Sequence, residues 1–526
     1  MPPAPPGPPV PVGFSPIDWI IVASYLALVI VIGIMVGRRR TGVDDYFLAG
    51  RSMPMWAVAI SILATSQSAA TFVGGPEQSY TGNLTYFMAN LGGLIAVIIV
   101  ALLFLPAFYR HGVTSIYELL GHRFGGAAQK CAGAMFLIGR VFASGARLFI
   151  VALPFSMVAF GDTSYQSLLI SIAIIAIGAT AYTLTGGIRA VIWTDVLQAG
   201  LYITTIVIAL WLLWQKFPIG ATEIIEALRT DPDGDKLKML DLKLASTGDL
   251  ANPYSLWAIL FGVTLFNLAA YGTDQDLTQR MLTCKSARRG SWSVIISNLI
   301  GWPIVFLFLV MGLLLFVFYQ RPDLMAEAAP DYAIGSSAIV FLEFILHEMP
   351  TGLRGLMMAG LFAAAMSSMD SALNAMASTT IADFYRPMLG SMVSPRHERR
   401  ASRLALIFWA VALAGFACFC VYWQKESGDT LIDFALGVMV FAYAGLLAVF
   451  LTALLTKRGS SLSVIAALLT GFALVLAMQG SIWDMWAPKL GIDFTLAFPW
   501  KMLIATTASF VVCCIAPGKR RESNET

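Results

Sequence analysis

Thirteen stretches of mostly apolar residues, most of them about 20 residues long, follow one another along this sequence. A helix needs about 20 such residues to cross the hydrocarbon core of a bilayer. Because backbone in lipid must satisfy its own hydrogen bonds, each stretch is predicted to be a helix. The stretches cover approximately residues 16–36, 53–73, 86–109, 128–160, 165–185, 190–214, 254–275, 291–319, 353–383, 402–423, 430–455, 460–480 and 499–516. The sequence therefore predicts an all-α membrane protein with about 13 transmembrane helices.

The scarcity of charge favours a single membrane domain. Charged residues make up 12% of the 526 residues, and hydrophobic residues make up 58%. A soluble domain carries roughly 25% charged residues. We expect one domain over residues 14–516, preceded by a proline-rich, disordered lead at 1–13 and followed by a tail at 517–526. The net charge of +3 gives no sign of a nucleic-acid partner, and no nucleophile–base set or phosphate loop indicates an enzyme.

Lysine and arginine residues set the expected orientation, because they prefer the cytoplasmic loops of membrane proteins. With the N-terminus outside, 22 of them fall in inner loops and 10 in outer loops. The clusters at Arg38–Arg40, Arg386–Arg403 and Lys519–Arg521 then all lie inside. The distribution predicts a multi-pass protein with an outer N-terminus and a cytoplasmic C-terminus, which requires an odd number of spans.

Two of the predicted spans are interrupted by polar residues. The second contains the run 64–71 (ATSQSAAT), and the seventh contains Asn267 and the run 271–275 (YGTDQ). These spans open two five-span blocks, at about 53–214 and 254–455, and because five is odd the blocks are inverted. Broken helices at matching positions of inverted repeats are typical of a transporter site at the membrane centre, where freed carbonyls coordinate cations. The alternative is that the polar residues only join helices to one another.

The ninth predicted span carries small and hydroxylated residues on one helix face. Their positions follow the i, i+3, i+4, i+7 spacing of a single face: Ala364, Ser367, Ser368 and Ser371. Hydroxyl oxygens are suitable ligands for a hard cation such as sodium, although small residues also form packing seams between helices. Asp370 favours the cation site, because a packing seam has no use for a buried carboxylate.

Three further ionisable residues lie inside predicted spans, where a charge is costly. Asp195 is either a cation ligand or the partner of Arg189 near the inner surface. Arg140 and Arg147 are seven residues apart and therefore share one helix face. A guanidinium binds a carboxylate through two hydrogen bonds, so one of them is predicted to meet an anionic solute. The alternatives are an ion pair with Asp195 or Asp370, or an extension toward the membrane interface.

Several separated motifs are similar to those of a known family. They are Phe14–Asp18, Asp44–Arg51, Gly186–Gln198, Asp274–Arg280 and Gly355–Asp383. Together they resemble the sodium/solute symporter family, which includes sodium–glucose, sialic acid, proline and pantothenate transporters. The resemblance covers most of residues 14–455 and implies the inverted-repeat fold of the leucine transporter with an extra N-terminal helix. It also implies a sodium-coupled symporter of the bacterial inner membrane that imports a small polar solute by alternating access.

The resemblance implies that sodium binds between the first broken helix and the ninth span. The implied ligands are the backbone carbonyls of Ala64, Gln67 and Ala364 and the hydroxyls of Ser367 and Ser368. Some family members hold a second sodium ion nearer the cytoplasm, and the matching residues are Asp195, Ser368, Asp370 and Ser371. The family usually has an apolar residue at the position of Gln67 and a hydroxyl residue at that of Asp370. Asp370 is therefore either an ion ligand or the partner of an arginine.

The resemblance also bears on the solute. Sugar-transporting members have an amide, an acid and a tyrosine where this sequence has Ser66, Asn90 and Ala270. The sialic acid members are more similar, and their carboxylate-binding arginine matches Arg140. The predicted solute contacts are Ser66, Gln67, Ser68, Thr71, Tyr86, Asn90, Arg140 and Asn267. The favoured solute is an organic anion or acidic sugar, and the alternatives are a neutral solute, coupling to protons, and a non-transporting solute sensor.

Overall fold

The computed structural model describes residues 14–37, 47–184, 187–242, 250–325, 336–389, 395–427, 430–491 and 494–517. The predicted lead at 1–13 and residues 518–526 of the predicted tail lie outside the described residues. Within these ranges all regular secondary structure is helical. The predicted all-α class is therefore confirmed.

Eight helices occupy the chain before the long loop that follows residue 214, and a ninth lies inside that loop. They are α1 Pro16–Gly37, α2 Met55–Ser66, α3 Ala69–Thr81, α4 Leu84–His111, α5 Glu118–Phe124, α6 Gly126–Phe160, α7 Tyr165–Thr183, α8 Ile188–Trp214 and, inside that loop, α9 Ala221–Arg229. The helix α4 starts with a 3₁₀ turn at Leu84–Met88 and contains a π-helical turn at Val100–Phe104. The short helices α5 and α9 lie in loops between predicted spans.

Ten further helices follow. They are α10 Ala258–Gly272, α11 Gln275–Leu282, α12 Ala287–Gln320, α13 Val340–Glu348, α14 Leu353–Leu389, α15 Pro395–Ser427, α16 Leu431–Leu455, α17 Ser461–Ala477, α18 Gly480–Trp486 and α19 Phe498–Ile515. Two of them contain π-helical turns, at Ala258–Val263 in α10 and at Thr380–Tyr385 in α14.

The apolar stretches of the sequence all coincide with helices. Within the described residues, nine helices are long and apolar enough to cross a membrane, or ten when the bent pair α2–α3 counts as one span. The shorter apolar helices α7, α10 and α17 occupy the three remaining predicted stretches. The exact number of 13 spans and the inverted repeats stay predictions.

The helices α14 and α16 form the interior of the bundle. In their most apolar windows 89% and 83% of residues are buried, against 28% in α1. The helix α14 packs against α8, α6 and α1. The ninth predicted span, which carries the predicted cation ligands, is therefore enclosed by protein rather than by lipid.

Asp18 joins the first helix to this interior. Its buried carboxylate accepts hydrogen bonds from the backbone N–H groups of Gly352 (2.7 Å) and Gly355 (2.9 Å), at the start of α14. Negative charge at a helix N-terminus is favourable, because the N–H groups there lack helical partners. Asp18 therefore caps α14 and fixes the position of the central helix.

The second half of the first broken helix, α3, is fixed against α12. A Cβ atom at Gly312 would lie only 2.1 Å from the carbonyl oxygen of Pro76, so only glycine allows this approach. Beside it, the hydroxyl of Ser79 donates a hydrogen bond to the carbonyl of Leu309 (2.7 Å). The close contact positions α3 and, with it, the break that precedes α3.

Candidate cation and solute sites

The first predicted interruption is a break between α2 and α3, whose axes differ by 59°. Gln67 and Ser68 have extended backbone conformations, with ψ of 102° and 179°. The hydroxyl of Ser68 accepts a hydrogen bond from the N–H of Ala70 (3.2 Å) and caps the new helix. The last carbonyls of α2 have no following turn to bond to, so their oxygens are available to a ligand.

The second interruption is also a break, at Thr273 and Asp274 between α10 and α11. The carboxylate of Asp274 accepts a hydrogen bond from the N–H of Asp276 (2.9 Å) and caps α11. The carbonyl of Thr273 accepts one from the hydroxyl of Tyr117 (3.0 Å) instead of from a helical N–H. Side chains that cap a helix locally compete with its continuation, which explains the position of the break.

A cavity of about 140 Å³ lies between residues of the two breaks. Polar and aromatic side chains both contribute to its wall, a combination that is typical of small-molecule sites. The polar and aromatic lining residues include Ser66, Gln67, Tyr86, Asn90, Arg140, Arg147, Asn267, Tyr271, Asn298 and Tyr443. We call this space the central cavity.

Seven of the eight predicted solute contacts line the central cavity. They are Ser66, Gln67, Thr71, Tyr86, Asn90, Arg140 and Asn267. The structure does not place Ser68 in this wall. Its hydroxyl caps α3, and the residue lines a separate small cavity beside Ser144 and Ser368. The extended backbone at the break turns successive side chains to opposite sides, which separates Ser68 from Gln67.

The residues predicted for the sodium site come together where the end of α2 meets the middle of α14. Four of them line one small cavity: Ala64, Gln67, Ala364 and Ser367. The hydroxyl of Ser368 lies 3.3 Å from the carbonyl of Ala364 and 3.4 Å from that of Thr65. Gln67 lines both this cavity and the central cavity. Carbonyl and hydroxyl oxygens that converge in this way are suitable ligands for a hard cation.

Asp195 is fully buried beside this cluster. Its carboxylate accepts hydrogen bonds from the hydroxyls of Ser367 (2.6 Å) and Ser61 (2.5 Å) and pairs with Arg280 at 3.2 Å. The predicted alternative, a pair with Arg189, is wrong. Arg189 lies in the first turn of α8 and binds the turn before α2, whereas Asp195 lies about 9 Å further along the helix.

The positive charge of Arg140 is neutralised by two carboxylates at the second break. Its guanidinium pairs with Asp274 and, at 3.2 Å, with Asp276, and all three side chains are buried. The predicted partners Asp195 and Asp370 are wrong, because the break between α10 and α11 turns the other two carboxylates toward α6. A solute carboxylate at Arg140 would therefore have to compete with two protein carboxylates.

A chain of ion pairs connects Arg140 to the cation cluster. Asp276 also pairs with Arg280 (2.8 Å), and Arg280 pairs with Asp195. Asp195 accepts the hydrogen bond from Ser367. The wall of the central cavity is therefore linked to the predicted sodium ligands through fully buried charged groups.

Arg147 also lines the central cavity. Among the described residues no carboxylate lies within 4 Å of its guanidinium, and its closest polar contact is the sulfur of Met439 at 3.9 Å. The roles of the two arginines thus differ. Arg140 is held by the protein, whereas Arg147 presents an uncompensated positive charge to the cavity.

Among the residues that the structure describes, Asp370 has no basic partner. One oxygen of its buried carboxylate accepts a hydrogen bond from the hydroxyl of Thr183 (2.9 Å), and the other has no partner among the described residues. The neighbouring Ser371 donates to Asp276 (3.3 Å) and to the carbonyl of Ser368 (3.0 Å). The ion pair between Asp370 and an arginine, which was the predicted alternative, does not occur in the described part of the chain.

The buried charges around the two breaks do not balance. Four carboxylates face three arginines; the acids are Asp195, Asp274, Asp276 and Asp370, and the bases are Arg140, Arg280 and Arg147, of which Arg147 forms no ion pair among the described residues. Excess negative charge in a low-dielectric interior is costly unless cations or protons compensate it. The region next to α14 is therefore built to attract positive charge.

Three residues of this region were not predicted as functional: Asp276, Arg280 and Tyr443, whose hydroxyl donates to Asp274 (2.6 Å). Two of them could have been found from the sequence. Asp276 directly follows a polar interruption inside an apolar span, and Arg280 lies one helical turn further, at the i, i+4 spacing of an ion pair. Tyr443 carries no such signal.

Known proteins are similar to this chain in sequence and in fold. Residues 46–471 match the model of the sodium:solute symporter family. The sodium/sialic acid symporter SiaT of Proteus mirabilis is 29% identical over 471 residues, which cover 89% of this chain and 90% of SiaT. The human sodium/iodide cotransporter is 28% identical over 510 residues, which cover 96% of this chain and 74% of the relative.

A solved structure is similar over nearly the whole chain. It shows a Na⁺-coupled sialic acid symporter in a substrate-bound, outward-open state, with a novel Na⁺ site. The two structures superimpose with a TM-score of 0.78 at 24% sequence identity, over 97% of this chain and 99% of the other. At this level of identity the likeness shows that the two chains share a fold.

Proposed function

This chain belongs to the sodium:solute symporter family, and on that premise we propose that it imports an organic anion or an acidic sugar together with sodium. Family membership makes it a multi-pass membrane transporter that couples a small solute to sodium, and not an enzyme. The chemical class of the solute, the ligands of each sodium ion and the number of ions are the subject of the proposal.

The uncompensated charge of Arg147 carries the proposal of an anionic solute. The guanidinium of Arg147 is half-buried in the cavity wall, where an anion would stabilise its charge, and the described residues provide no carboxylate within 4 Å of it. A solute carboxylate in the central cavity would supply that anion through paired, charge-assisted hydrogen bonds. Arg147 therefore replaces Arg140 as the proposed anion contact, because Arg140 is already held by Asp274 and Asp276.

The names of two relatives agree with a negatively charged solute. SiaT is named for sialic acid and the human relative for iodide, and both are anions. The identities of 29% and 28% are too low to transfer either solute to this chain. The two names support an anion as the class of solute, and the size of that anion is a question for experiment.

For sodium, we propose the ligands that meet at the end of α2. The carbonyls of Ala64, Gln67 and Ala364 and the hydroxyls of Ser367 and Ser368 supply neutral oxygens, and Asp195 supplies negative charge next to them. A second sodium ion is proposed between α8 and α14, at Asp195, Ser368, Asp370 and Ser371. With a solute anion at Arg147, four carboxylates and the solute charge would face three arginines, and this excess of two negative charges supports two cations.

Energetics also favour two sodium ions for an anionic solute. A monovalent anion moving with one sodium ion carries no net charge, so the membrane potential does no work on the pair. A tenfold sodium gradient then supplies about 1.4 kcal/mol, which accumulates the solute about tenfold. With two ions, one net charge crosses and gains about 2.3 kcal/mol per 100 mV, so the total of about 5 kcal/mol supports accumulation of several thousandfold.

The proposed cycle follows from the shared position of Gln67. Sodium binding from outside holds the end of α2 against α14 and orders the backbone at Gln67, which lines both cavities. Ordering this backbone completes the wall of the central cavity, so each ligand raises the affinity of the other by the same factor. The two inverted repeats then rock about the site and open it inward.

The proposed location is the inner membrane of a bacterium, with the N-terminus outside and the C-terminus in the cytoplasm. The distribution of lysine and arginine supports this orientation. Cysteine labelling from outside at Ser164, in the loop after α6, and at Ser286, in the loop before α12, tests it. The proposal predicts that only Ser164→Cys reacts with a membrane-impermeant thiol reagent, and labelling of Ser286→Cys alone would reverse the orientation.

Counterflow in proteoliposomes tests the proposed function. Vesicles are loaded with an unlabelled solute, and entry of the labelled solute is measured for organic anions, acidic sugars, neutral sugars and amino acids, with sodium or with potassium. Exchange of an anion that requires sodium supports the proposal. Exchange of neutral solutes only would establish the neutral-solute alternative. Exchange that depends on pH instead of sodium would establish proton coupling, and binding without any exchange would establish the sensor.

A further inference from the structure

The inner half of α14 carries a row of buried polar residues below the proposed sodium ligands. Asp370, Asn374 and Ser378 are spaced i, i+4 and i+8 and therefore lie on one helix face. Their exposed fractions are 1%, 1% and 0%. The row is thus enclosed by protein along two full turns of the helix.

Each member of this row has a polar atom without a hydrogen-bond partner among the described residues. The atoms are Oδ2 of Asp370, Nδ2 of Asn374 and Oγ of Ser378. Buried side-chain polar atoms in folded proteins are nearly always paired, because an unpaired one loses its hydration without compensation. Three successive unpaired groups therefore indicate a path for water or an ion rather than ordinary packing.

Thr380, on the same helix, is a partly buried polar residue whose hydrogen bonds are satisfied by the protein. The hydroxyl of Thr380 donates to the carbonyl of Met376 (2.8 Å) and accepts from the ring N–H of Trp409 (2.9 Å). Both of its hydrogen-bonding functions are used. Thr379, on the opposite side of the helix from Asp370, also has an unpaired hydroxyl. What distinguishes Asp370, Asn374 and Ser378 is that three unpaired groups follow one another along a single face.

The row leads from the proposed sodium site toward one end of the helix. Asp370 lies within one turn of Ser367 and Ser368, and Ser378 lies about 12 Å further along the axis. The next turn reaches Asp383, whose carboxylate accepts hydrogen bonds from Ser115 (2.6 Å) and Gln129 (2.7 Å). This end of α14 precedes the basic cluster that the charge distribution places in the cytoplasm.

We propose that the coupling cations leave the protein along this face of α14, starting from Asp370 of the proposed second sodium site, with Asn374 and Ser378 as the polar wall of the exit path. The inference rests on the proposed sodium-coupled function and deepens it. Asp370 suits this role because no arginine, lysine or histidine lies within 4 Å of it in the described part of the chain, so its free oxygen is available to the ion. A carboxylate already paired with an arginine would offer the ion no such ligand.

The proposed path separates two transport modes in one experiment with purified protein in proteoliposomes. Net uptake under an inward sodium gradient requires the ion to leave on the inner side in every cycle. Solute exchange with saturating sodium on both sides does not, because the loaded carrier can shuttle without releasing its ion. A block of the exit path is therefore expected to slow net uptake and spare exchange.

The variant is Asn374→Leu, which removes the polar group and keeps the number of non-hydrogen side-chain atoms and their branching at Cγ. Net uptake is expected to fall at least about tenfold, whereas exchange stays within about twofold of the wild type. The matched control is Met376→Leu, at a buried apolar position of the same helix, for which both rates are expected to stay within about twofold. Asn374→Asp, which keeps the path polar, is expected to retain net uptake.

Three outcomes would overturn the proposal. One is wild-type net uptake in Asn374→Leu, and another is an equal loss of net uptake and exchange, which would indicate a structural role. If Asn374→Leu does not fold, Ser378→Ala is measured instead, and an unchanged ratio of net uptake to exchange would have the same consequence. A wild-type protein without any sodium-stimulated uptake would overturn the proposed function first, and the exit path with it.

Discussion

The hydroxyl of Ser367 donates a hydrogen bond to Asp195 over 2.6 Å, and this contact joins the proposed sodium site to the solute cavity. From Asp195 the connection continues through ion pairs with Arg280 and then Asp276. Asp276 pairs with Arg140 in the cavity wall. A change of charge at either end therefore alters the balance at the other, which gives a physical basis for coupling between ion and solute.

Neutralising the middle of this chain is expected to uncouple the two ligands. In Asp276→Asn the shape is kept, but the carboxylate shared by Arg140 and Arg280 is lost. Sodium is expected to raise the solute affinity of the wild type by roughly 5- to 150-fold, the usual range of such coupling. In the variant we expect less than about a threefold effect. Isothermal titration with and without sodium measures both values.

The control for this prediction is Asp323→Asn, an acid in the loop after α12 that pairs with Arg321 at the surface. Its solute affinity is expected to keep the full sodium effect. Undiminished coupling in Asp276→Asn would show that the chain of ion pairs is only structural.

Arg147 is expected to determine the charge of the accepted solute. Arg147→Gln removes the uncompensated guanidinium, and a hydrogen bond to a charged group contributes about 1.5–3 kcal/mol. The affinity for an anionic solute is therefore expected to fall roughly 10- to 100-fold, with little change for a neutral analogue. Competition binding of a carboxylate and its amide measures the difference. An equal loss for both would argue against direct contact with the anion.

Arg140→Gln is expected to behave differently. It leaves the carboxylates of Asp274 and Asp276 buried with fewer partners, and breaking a buried pair costs about 3–5 kcal/mol. We expect a clear fall in the unfolding temperature in detergent and a loss of transport for all solutes. A stable Arg140→Gln variant that loses only anion binding would return the role of anion contact to Arg140.

Ser368 is expected to be required for the effect of sodium. Ser368→Ala removes a hydroxyl that lies 3.3 Å from the carbonyl of Ala364 and 3.4 Å from that of Thr65. Sodium stimulation of uptake is expected to disappear, while residual binding of solute persists. Ser293→Ala, which removes a buried hydroxyl of α12 that donates to its own helix, serves as the control. Full sodium stimulation in Ser368→Ala would exclude this residue as a ligand.

Lys236, in the loop after α9, is expected to make the stability of the folded chain depend on pH. Its ammonium donates to the carbonyls of Tyr80 (3.1 Å) and Gly82 (3.3 Å) and lies 3.9 Å from the ring centre of Phe316. Burial lowers the pKa of Lys236 below the ordinary value of lysine, although Asp231 and Asp233 oppose the shift. The folded chain therefore gives up this proton more readily than the unfolded chain.

The sign of the effect follows from this difference. Below the lowered pKa the ammonium is charged in both states, so the folded state bears the full cost of burying it. As pH rises through the lowered pKa toward the ordinary value of about 10.4, the unfolded chain binds more protons and stability increases. Between pH 7 and about pH 10, the unfolding temperature of the wild type is expected to rise relative to that of Lys236→Met.

Lys238→Met is the control for this pH series, because its ammonium is more exposed and pairs with Asp241 at 3.1 Å. Differential scanning fluorimetry in detergent measures all three proteins. A difference between wild type and Lys236→Met that is constant or shrinks with rising pH would contradict the proposed cost of burial.

The sequence alone was sufficient to predict the helices and the positions of the two breaks. Each apolar stretch had to be helical, because lipid offers its backbone no partners. The runs at 64–71 and 271–275 had to interrupt the helices, because they carry polar side chains that cap helices locally. The family resemblance predicted that Ala64 meets Ser367 and Ser368. In the structure Ala64 and Ser367 line one small cavity, and Ser368 lies beside the carbonyl of Thr65, the residue after Ala64.

Side-chain pairing across helices could not be predicted. Arg140 and Arg147 share a face of α6, and the sequence alone does not say which one meets Asp274, 134 positions away. That choice depends on where the break between α10 and α11 turns its carboxylates. Likewise Ser68 follows Gln67 directly, yet the extended backbone at the break places it outside the central cavity.

The most direct test of the central claim is accumulation of a radiolabelled acidic sugar or organic anion, chosen by counterflow, in proteoliposomes with an imposed sodium gradient. Wild-type protein is expected to concentrate the solute above its external level only when sodium is higher outside. Ser368→Ala and Arg147→Gln, measured in parallel, are expected to lose this accumulation. Equal accumulation with potassium in place of sodium, or accumulation that both variants retain, would contradict the account.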